Sequence, residues 1–175
     1  TLLFISISAI IAISVVGNFV TTYISDVFHG AELQGFADGR MEPEFVERVE
    51  EMEGIEKVLA VYVFENTIKT GGITFSRLEG TDNLEWYSSM LALKFTDKGL
   101  LGQAVASFGN KERSVILSED CLQRTGFSVG DEILLSNGTE EIPYTIAGSF
   151  KSRATDVEAV IHSYCSDSDF GATVY

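Results

Sequence analysis

No charged side chain occurs between Thr1 and Ser25, and this one absence constrains the chain more than any total. Within it, Leu2 to Val20 reads LLFISISAIIAISVVGNFV. As a helix rising about 1.5 Å per residue, these roughly 19 residues cover about 29 Å, the thickness of a bilayer's hydrocarbon core. Each Leu, Ile, Phe and Val contributes about −0.3 to −0.6 kcal/mol to insertion, which outweighs Ser6, Ser8, Ser14, Gly17 and Asn18. The apolar residues occupy every face of the helix, so a core helix with one buried stripe is the poorer reading. A cleaved signal peptide would need a basic start and a shorter apolar run. The sequence begins without Met, and the Lys and Arg that would orient the helix are expected upstream.

The remainder is strongly acidic. Asp and Glu number 26 against 12 Lys and Arg, a formal net charge of −14 in 175 residues. Phosphate backbones are bound by clustered cations, so nucleic acid is excluded as a partner, and an anionic lipid surface is equally disfavoured. With 45% hydrophobic residues the chain has material for a folded core.

After the apolar segment, Thr21 to Gly39 (TTYISDVFHGAELQGFADG) continues as a stalk. MEPEFVERVEEMEG follows, with Pro43 in the first helical turn, Phe45, Val49 and Met52 on one apolar stripe, and Gly54 as the C-terminal cap. The acidic residues of this helix form its solvated face. Lys57 to Glu65 (KVLAVYVFE) predicts a buried strand and Ile73 to Leu78 a second one, with TIKTGG turning between them. Helix, strand and strand in this order begin an α/β layer. Asn83 to Lys94 predicts a helix or helix-turn with Trp86 and Leu93 packing inward.

Ser114 to Phe150 is the most explicit stretch. Val115 to Leu117 is a short strand, Ser118 an N-cap, Glu119 and Asp120 complement the helix dipole, and Gly126 ends the helix. Phe127 to Asp131 (FSVGD) makes a tight bend into a strand from Glu132 to Leu135. Asn137-Gly138 signals a two-residue hairpin, and the return strand runs from Ile142 to Phe150. Ile142, Tyr144 and Ile146 alternate with Pro143, Thr145 and Ala147, with Pro143 placing its segment at an edge or strand start.

Catalysis needs a nucleophile, a base and a group that stabilises developing charge. His29 and His162 lack any metal-type pairing, and Cys121 reads as a small packing residue. Cys121 and Cys165 could pair outside the membrane, but two cysteines alone do not define a disulfide. Asp167-Ser-Asp169-Phe-Gly171 has the wrong spacing for a calcium loop. Asn137-Gly-Thr139 fits a glycosylation pattern but has a sufficient explanation as a turn, and Gly71-Gly72 is likewise a turn. No GxxxxGK[ST] occurs, so no P-loop is present. The reading assigns no catalytic, cofactor-binding or metal-binding residue and no cofactor, and predicts that the chain is not an enzyme.

The run SVILSEDCLQRTGFSVGDEILLSNGTEEIPYTIAGSF resembles the ectodomain signature of FtsX/MacB-like ABC transporter permeases. Phe127, Val129, Gly130 and Asp131 match the family's bend, and Tyr144, Thr145, Ile146, Gly148 and Phe150 its closing strand. Gly54-Ile-Glu-Lys-Val58 is similar to the family's lead-in to a strand. The resemblance implies an α+β organisation: an N-terminal transmembrane helix over 1–25, a stalk over 26–41, and an extracytoplasmic domain over 42–175. That domain would have a porter-like α/β part and a β-rich part over roughly 81–159, incomplete at its C-terminus. The implied partners are a cytoplasmic ABC ATPase, a second permease copy and membrane lipid, and the implied location is the cell membrane. The implied work is mechanical: coupling ATP hydrolysis to extracytoplasmic movement in export, lipoprotein extraction or cell-wall regulation. A single-pass anchored binding or sensor domain is the competing reading.

Overall fold

The computed structural model describes residues 43–64, 69–70, 73–152 and 155–170. The predicted membrane helix, the stalk, His29 and the Gly71-Gly72 turn lie outside them. No helix among the described residues is long and apolar enough to cross a membrane.

The described chain runs as helix α1 (Pro43–Glu50), strands β1 (Val61–Phe64), β2 (Lys69–Thr70), β3 (Ile73–Thr74) and β4 (Leu78–Thr81), helix α2 (Leu84–Met90), strand β5 (Lys94–Phe95) and helix α3 (Lys98–Gly109). Strand β6 (Ser114–Ser118), helix α4 (Glu119–Thr125), strands β7 (Glu132–Ser136), β8 (Glu141–Lys151) and β9 (Ala159–His162), and helix α5 (Ser163–Phe170) complete it. Seven strands form one mixed sheet in the order β1-β4-β9-β6-β8-β5, with β7 also paired to β8; β2 and β3 form a separate hairpin. The pairs β4/β9 and β6/β8 are parallel and the others antiparallel. Strand β4, which ends at the predicted residue-81 boundary, is therefore bonded to β1 on one side and to β9 on the other.

Strand β6 shows why this sheet needs cover on both faces. Val115, Ile116 and Leu117 are all 0% exposed, so the strand reads as a continuous apolar run and not an alternation. Its odd positions, Val115 and Leu117, join Ala159, Ile161, Ile133, Leu135, Tyr144 and Cys121 in one core. Ile116 joins Val160, Phe150, Leu84, Tyr87, Ala104 and Phe108 in the other. Helices α2 and α3 supply the second core, and α4 and α5 the first.

The stretch from Ser114 onward follows the sequence closely. Ser118 Oγ accepts the Cys121 N–H (3.1 Å), and Gly126, at φ +78°, closes α4 with its N–H on the Leu122 carbonyl. The alternation in β8 holds: Ile142, Tyr144 and Ile146 are buried, Pro143 and Thr145 exposed. Pro143 pairs with Leu134 on one side only, because β6 joins β8 from Thr145 onward.

Four expectations are corrected. Strand β1 is shorter than Lys57 to Glu65 and only half-buried, because it is the sheet's outer strand. The strand expected over Ile73 to Leu78 is two: Ile73–Thr74 pairs back on Lys69–Thr70, and Leu78 starts β4. Helix α1 unwinds into turns after Glu50, before Gly54 (φ +91°), and Phe45 (36%) and Met52 (59%) are exposed, with the Arg48 guanidinium 5.9 Å over the Phe45 ring. In the hairpin, Asn137 is the first residue of the turn and not a central one. Its N–H meets the Glu140 carbonyl (3.2 Å), its Oδ1 accepts the N–H groups of Thr139 and Glu140 (both 2.9 Å), and Gly138 takes the positive φ.

Helix α2 forms as expected, capped by Asn83 Oδ1 on the Trp86 N–H (2.9 Å), but Leu84, Tyr87 and Ser88 are its buried residues and Trp86 is half-buried. Leu93 does pack against the core. Helix α3 has no counterpart in the sequence reading. Its cap is Asp97, whose Oδ1 accepts the Gly99 N–H (2.7 Å), and Ala104 and Phe108 are its buried contacts.

The two ends of α4 give a stability test. Ser118→Ala should cost about 1 kcal/mol through the lost cap. Nothing lies within 4 Å of a Cβ at Gly126, so Gly126→Ala meets only the left-handed backbone penalty, about 1–2 kcal/mol. Urea unfolding followed by circular dichroism measures both; equal midpoints for wild type and Gly126→Ala would refute the second.

Candidate functional site

The signature residues act first as scaffolding. At the bend, Asp131 Oδ2 accepts the Ser128 N–H (2.8 Å), and Gly130, at φ +98°, can adopt a conformation costly for a side-chain-bearing residue. The Gly130 N–H then donates to the Ile146 carbonyl (2.8 Å) and the Ile146 N–H to the Asp131 carbonyl (2.9 Å), which fixes the bend on β8. Phe127 and Val129 pack on the first core. Gly148 pairs with Ile116 across a register shift that leaves Ala147 as the extra residue of β8.

Polar side chains concentrate in two arrangements of one kind, each an arginine, a buried carboxylate and a buried tyrosine. In the first, Arg77 Nε donates to Glu79 Oε1 (2.6 Å) and the Tyr87 hydroxyl to Glu79 Oε2 (2.5 Å). Glu79 lies on β4 and Tyr87 on α2, so this group fastens α2 to the sheet. In the second, Arg113 grips Asp169 through Nε and Nη2 (2.8 and 2.9 Å), and the Tyr144 hydroxyl donates to Asp169 Oδ2 (2.7 Å). That group fastens α5 to β8 on the sheet's other face. Burial is the largest cause raising both tyrosines' pKa, and the neighbouring carboxylate adds to it; the Arg113 hydrogen bond holds Asp169 below the usual range.

A third cluster lies around β9 and α4. Glu158 accepts from Arg124 Nη1 (2.6 Å) and the Ser76 N–H (2.5 Å), and these bonds keep its pKa low against burial that opposes them. Glu119 pairs with Lys151 (2.8 Å) and accepts from the Thr96 hydroxyl. These groups border a small cleft of about 190 Å³ whose walls include Ser76, Glu119, Lys151, Asp156 and Glu158. An open cleft of about 450 Å³ lies between α3 and the sheet, lined by Gln103, Ser107, Glu112, Ser114 and Thr145.

The reactive residue types are occupied structurally. His162 Nδ1 accepts the Tyr164 N–H (2.9 Å), which caps α5, and burial lowers its pKa. Cys121 and Cys165 are free and buried, and burial pushes the Cys121 thiol up to about 11, away from the thiolate. Among the described residues no group of three or more His, Cys, Asp and Glu is placed to hold a metal ion. The sequence reading noticed Asp169 only as part of a calcium-like run and missed its partner, because Arg113 is 56 residues away in the chain. Glu79, Arg77 and Tyr87 were equally unmarked; a glutamate inside the apolar neighbourhood of β4 was the available signal.

The fold is thus that of a mixed-sheet α/β domain with helices on both faces, fastened by buried carboxylates. The MacB-like periplasmic core domain model matches residues 2–170, and the chain belongs to this FtsX/MacB-like family. Among solved structures, it is similar to the extracellular domain of the noncanonic ABC-type transporter YknZ from Gram-positive bacteria, at 15% identity and TM-score 0.54 over 77% of this chain and 70% of that one. It is also similar to the periplasmic region of MacB from Actinobacillus actinomycetemcomitans, at 12% identity and TM-score 0.52, over 82% of this chain and 64% of that one. These likenesses show the fold, and the chain spans less than two thirds of the MacB region. No curated protein matches.

The carboxylates give a signed pH dependence. Asp169 and Glu158 have lowered pKa values in the fold, so their stabilisation is complete above about pH 5 and is lost as pH falls through the unfolded values near 4 to below the lowered folded values. His162 adds an earlier loss, since its lowered folded pKa makes protonation favour unfolding as pH falls through about 6.5. Urea midpoints should therefore decline from pH 7 to pH 3, and Asp169→Asn should flatten the fall below pH 5. In the other group, Tyr87→Phe should cost about 1–3 kcal/mol by leaving Glu79 one donor short. An unchanged midpoint for Tyr87→Phe would contradict the role given to that hydroxyl.

Proposed function

We infer that this chain is the membrane-anchored extracytoplasmic part of an ABC transporter permease, working mechanically and not as an enzyme. The observation that carries this reading is the extent of the family match. It starts at residue 2, inside the uncharged segment, and runs through the sheet to residue 170 in α5, so the apolar run and the domain belong to one family unit. Leu2 to Val20 is long enough for one membrane crossing. The described residues beyond it form a domain in which the buried carboxylates Glu79 and Asp169 fasten helices to a sheet. A scaffold of that kind suits the transmission of movement.

On this reading a cytoplasmic ABC ATPase supplies the energy, a second permease copy completes the transporter, and lipid surrounds the apolar helix. The domain after about residue 25 is extracytoplasmic. One solved neighbour is the extracellular domain of an ABC-type transporter and the other a periplasmic region, which supports an extracytoplasmic place for the domain. The work supported is coupling of ATP hydrolysis to conformational change outside the membrane, in export, lipoprotein extraction or cell-wall regulation.

The test is made in cells on the full-length protein containing this chain. A cysteine placed at exposed Leu134 should react with a membrane-impermeant maleimide in intact cells. Affinity purification from detergent-solubilised membranes should bring down an ATPase carrying a Walker A motif. Labelling only after lysis, or a purified protein without an ATPase, would sink the reading.

A further inference from the structure

Helix α5 has fewer apolar fixings than α2 or α3, and no more than α4. Helix α2 is seated by Leu84 and Tyr87 and α3 by Ala104 and Phe108, whereas α4 has only Cys121 and the partly buried Leu122. Helix α5 reads SYCSDSDF, and its apolar contacts are limited to Cys165 and the partly buried Phe170. Tyr164 is 56% exposed and lies over Lys111 instead of the core. The helix crosses β4, β9 and the outer strand β1, so it overlies the least enclosed edge of the sheet.

Its polar fixings sit at its two ends. At the start, His162 Nδ1 takes the Tyr164 N–H. At the far end, Asp169 takes both Arg113 bonds and the Tyr144 hydroxyl, and its backbone carbonyl takes Asn137 Nδ2 (2.9 Å) from the hairpin turn. The Arg113 side chain is 54% exposed, so half of the lock already faces water that can replace Asp169. Tyr144 belongs to β8, which β6, β7 and β5 hold by backbone bonds irrespective of α5.

We propose that α5 is a polar latch, a helix that releases from the sheet as a unit while the sheet stays folded. Elements buried by apolar packing open only with the core, whereas an element fixed by a few hydratable bonds opens by itself. Release frees Asp169 and Arg113 into water together, so neither is left buried and unpaired. It also uncovers an apolar surface: the Phe170 ring lifts from Phe64 (5.6 Å between centroids, edge-on) and from Tyr144 (6.2 Å). The latch thus switches that patch between covered and open states.

Hydrogen exchange read by mass spectrometry on the full-length protein in detergent micelles tests this without depending on a variant. In the wild type, amides of 163–170 should exchange at least about tenfold faster than those of β6 and β8, because they open sub-globally. Asp169→Asn should speed exchange by about a further tenfold, confined to 163–170 and the Asn137 turn, since the charge-assisted pair is lost. Equal protection of α5, β6 and β8 in the wild type would overturn the proposal. So would an Asp169→Asn variant that loses protection across the whole sheet or fails to fold, because Asp169 would then belong to the global core.

Discussion

Everything described in this structure depends on β6 being buried on both faces. A strand whose Val115, Ile116 and Leu117 are all inaccessible cannot sit at an edge or on a one-sided sheet. It demands a neighbour on each side, supplied by β8 in parallel and β9 in antiparallel, and a helical layer above and below. Parallel pairing with β8 in turn requires a long crossover, and the chain provides it through α4, the Gly130 bend and β7. The signature glycine and aspartate are needed because that crossover must turn sharply and return in register with Ile146.

Once two helical layers are required, each must be positioned. The same solution serves both faces: a carboxylate buried among apolar side chains, held by an arginine at its margin and a tyrosine beneath. Burying a carboxylate unpaired would be prohibitive, and a fully bonded one fixes the orientation of the elements it joins. Glu79 orients α2 and Asp169 orients α5. The two differ in one respect that bears on movement. Tyr87 is completely buried within its own helix's core contact, whereas the Asp169 group stands at the end of a helix with little apolar packing of its own.

This distribution is one that the proposed mechanical role would use. Apolar strands β6, β9 and β8 form the domain's centre, and the polar fixings of α2 and α5 lie around them. Its charged groups near the clefts are largely engaged with one another, as Glu119 is with Lys151 and Glu158 with Arg124.

The sequence by itself determined the local structure from Ser114 to Phe150, because caps, a positive-φ glycine, a hairpin turn and a period-two alternation are decided within a few residues of one another. It also contained the family signature and the uncharged segment of Leu2 to Val20. Only the tertiary structure decided what is non-local. Strand β1 reads as a buried strand from KVLAVYVFE but becomes an outer one, since its neighbour β4 pairs on its other side with β9, as Leu78 does with Ala159, far along the chain. The stripe of α1 was legible as Phe45, Val49 and Met52, yet apolar spacing states a capacity for burial and does not supply the opposing surface. Helix α3, with a low-contrast run of small residues and glycines, gave little periodic signal and is fixed by Phe108 meeting the sheet. The Asp169 group joins three separate stretches of chain, and no spacing along a sequence reveals a contact whose existence depends on all three having folded.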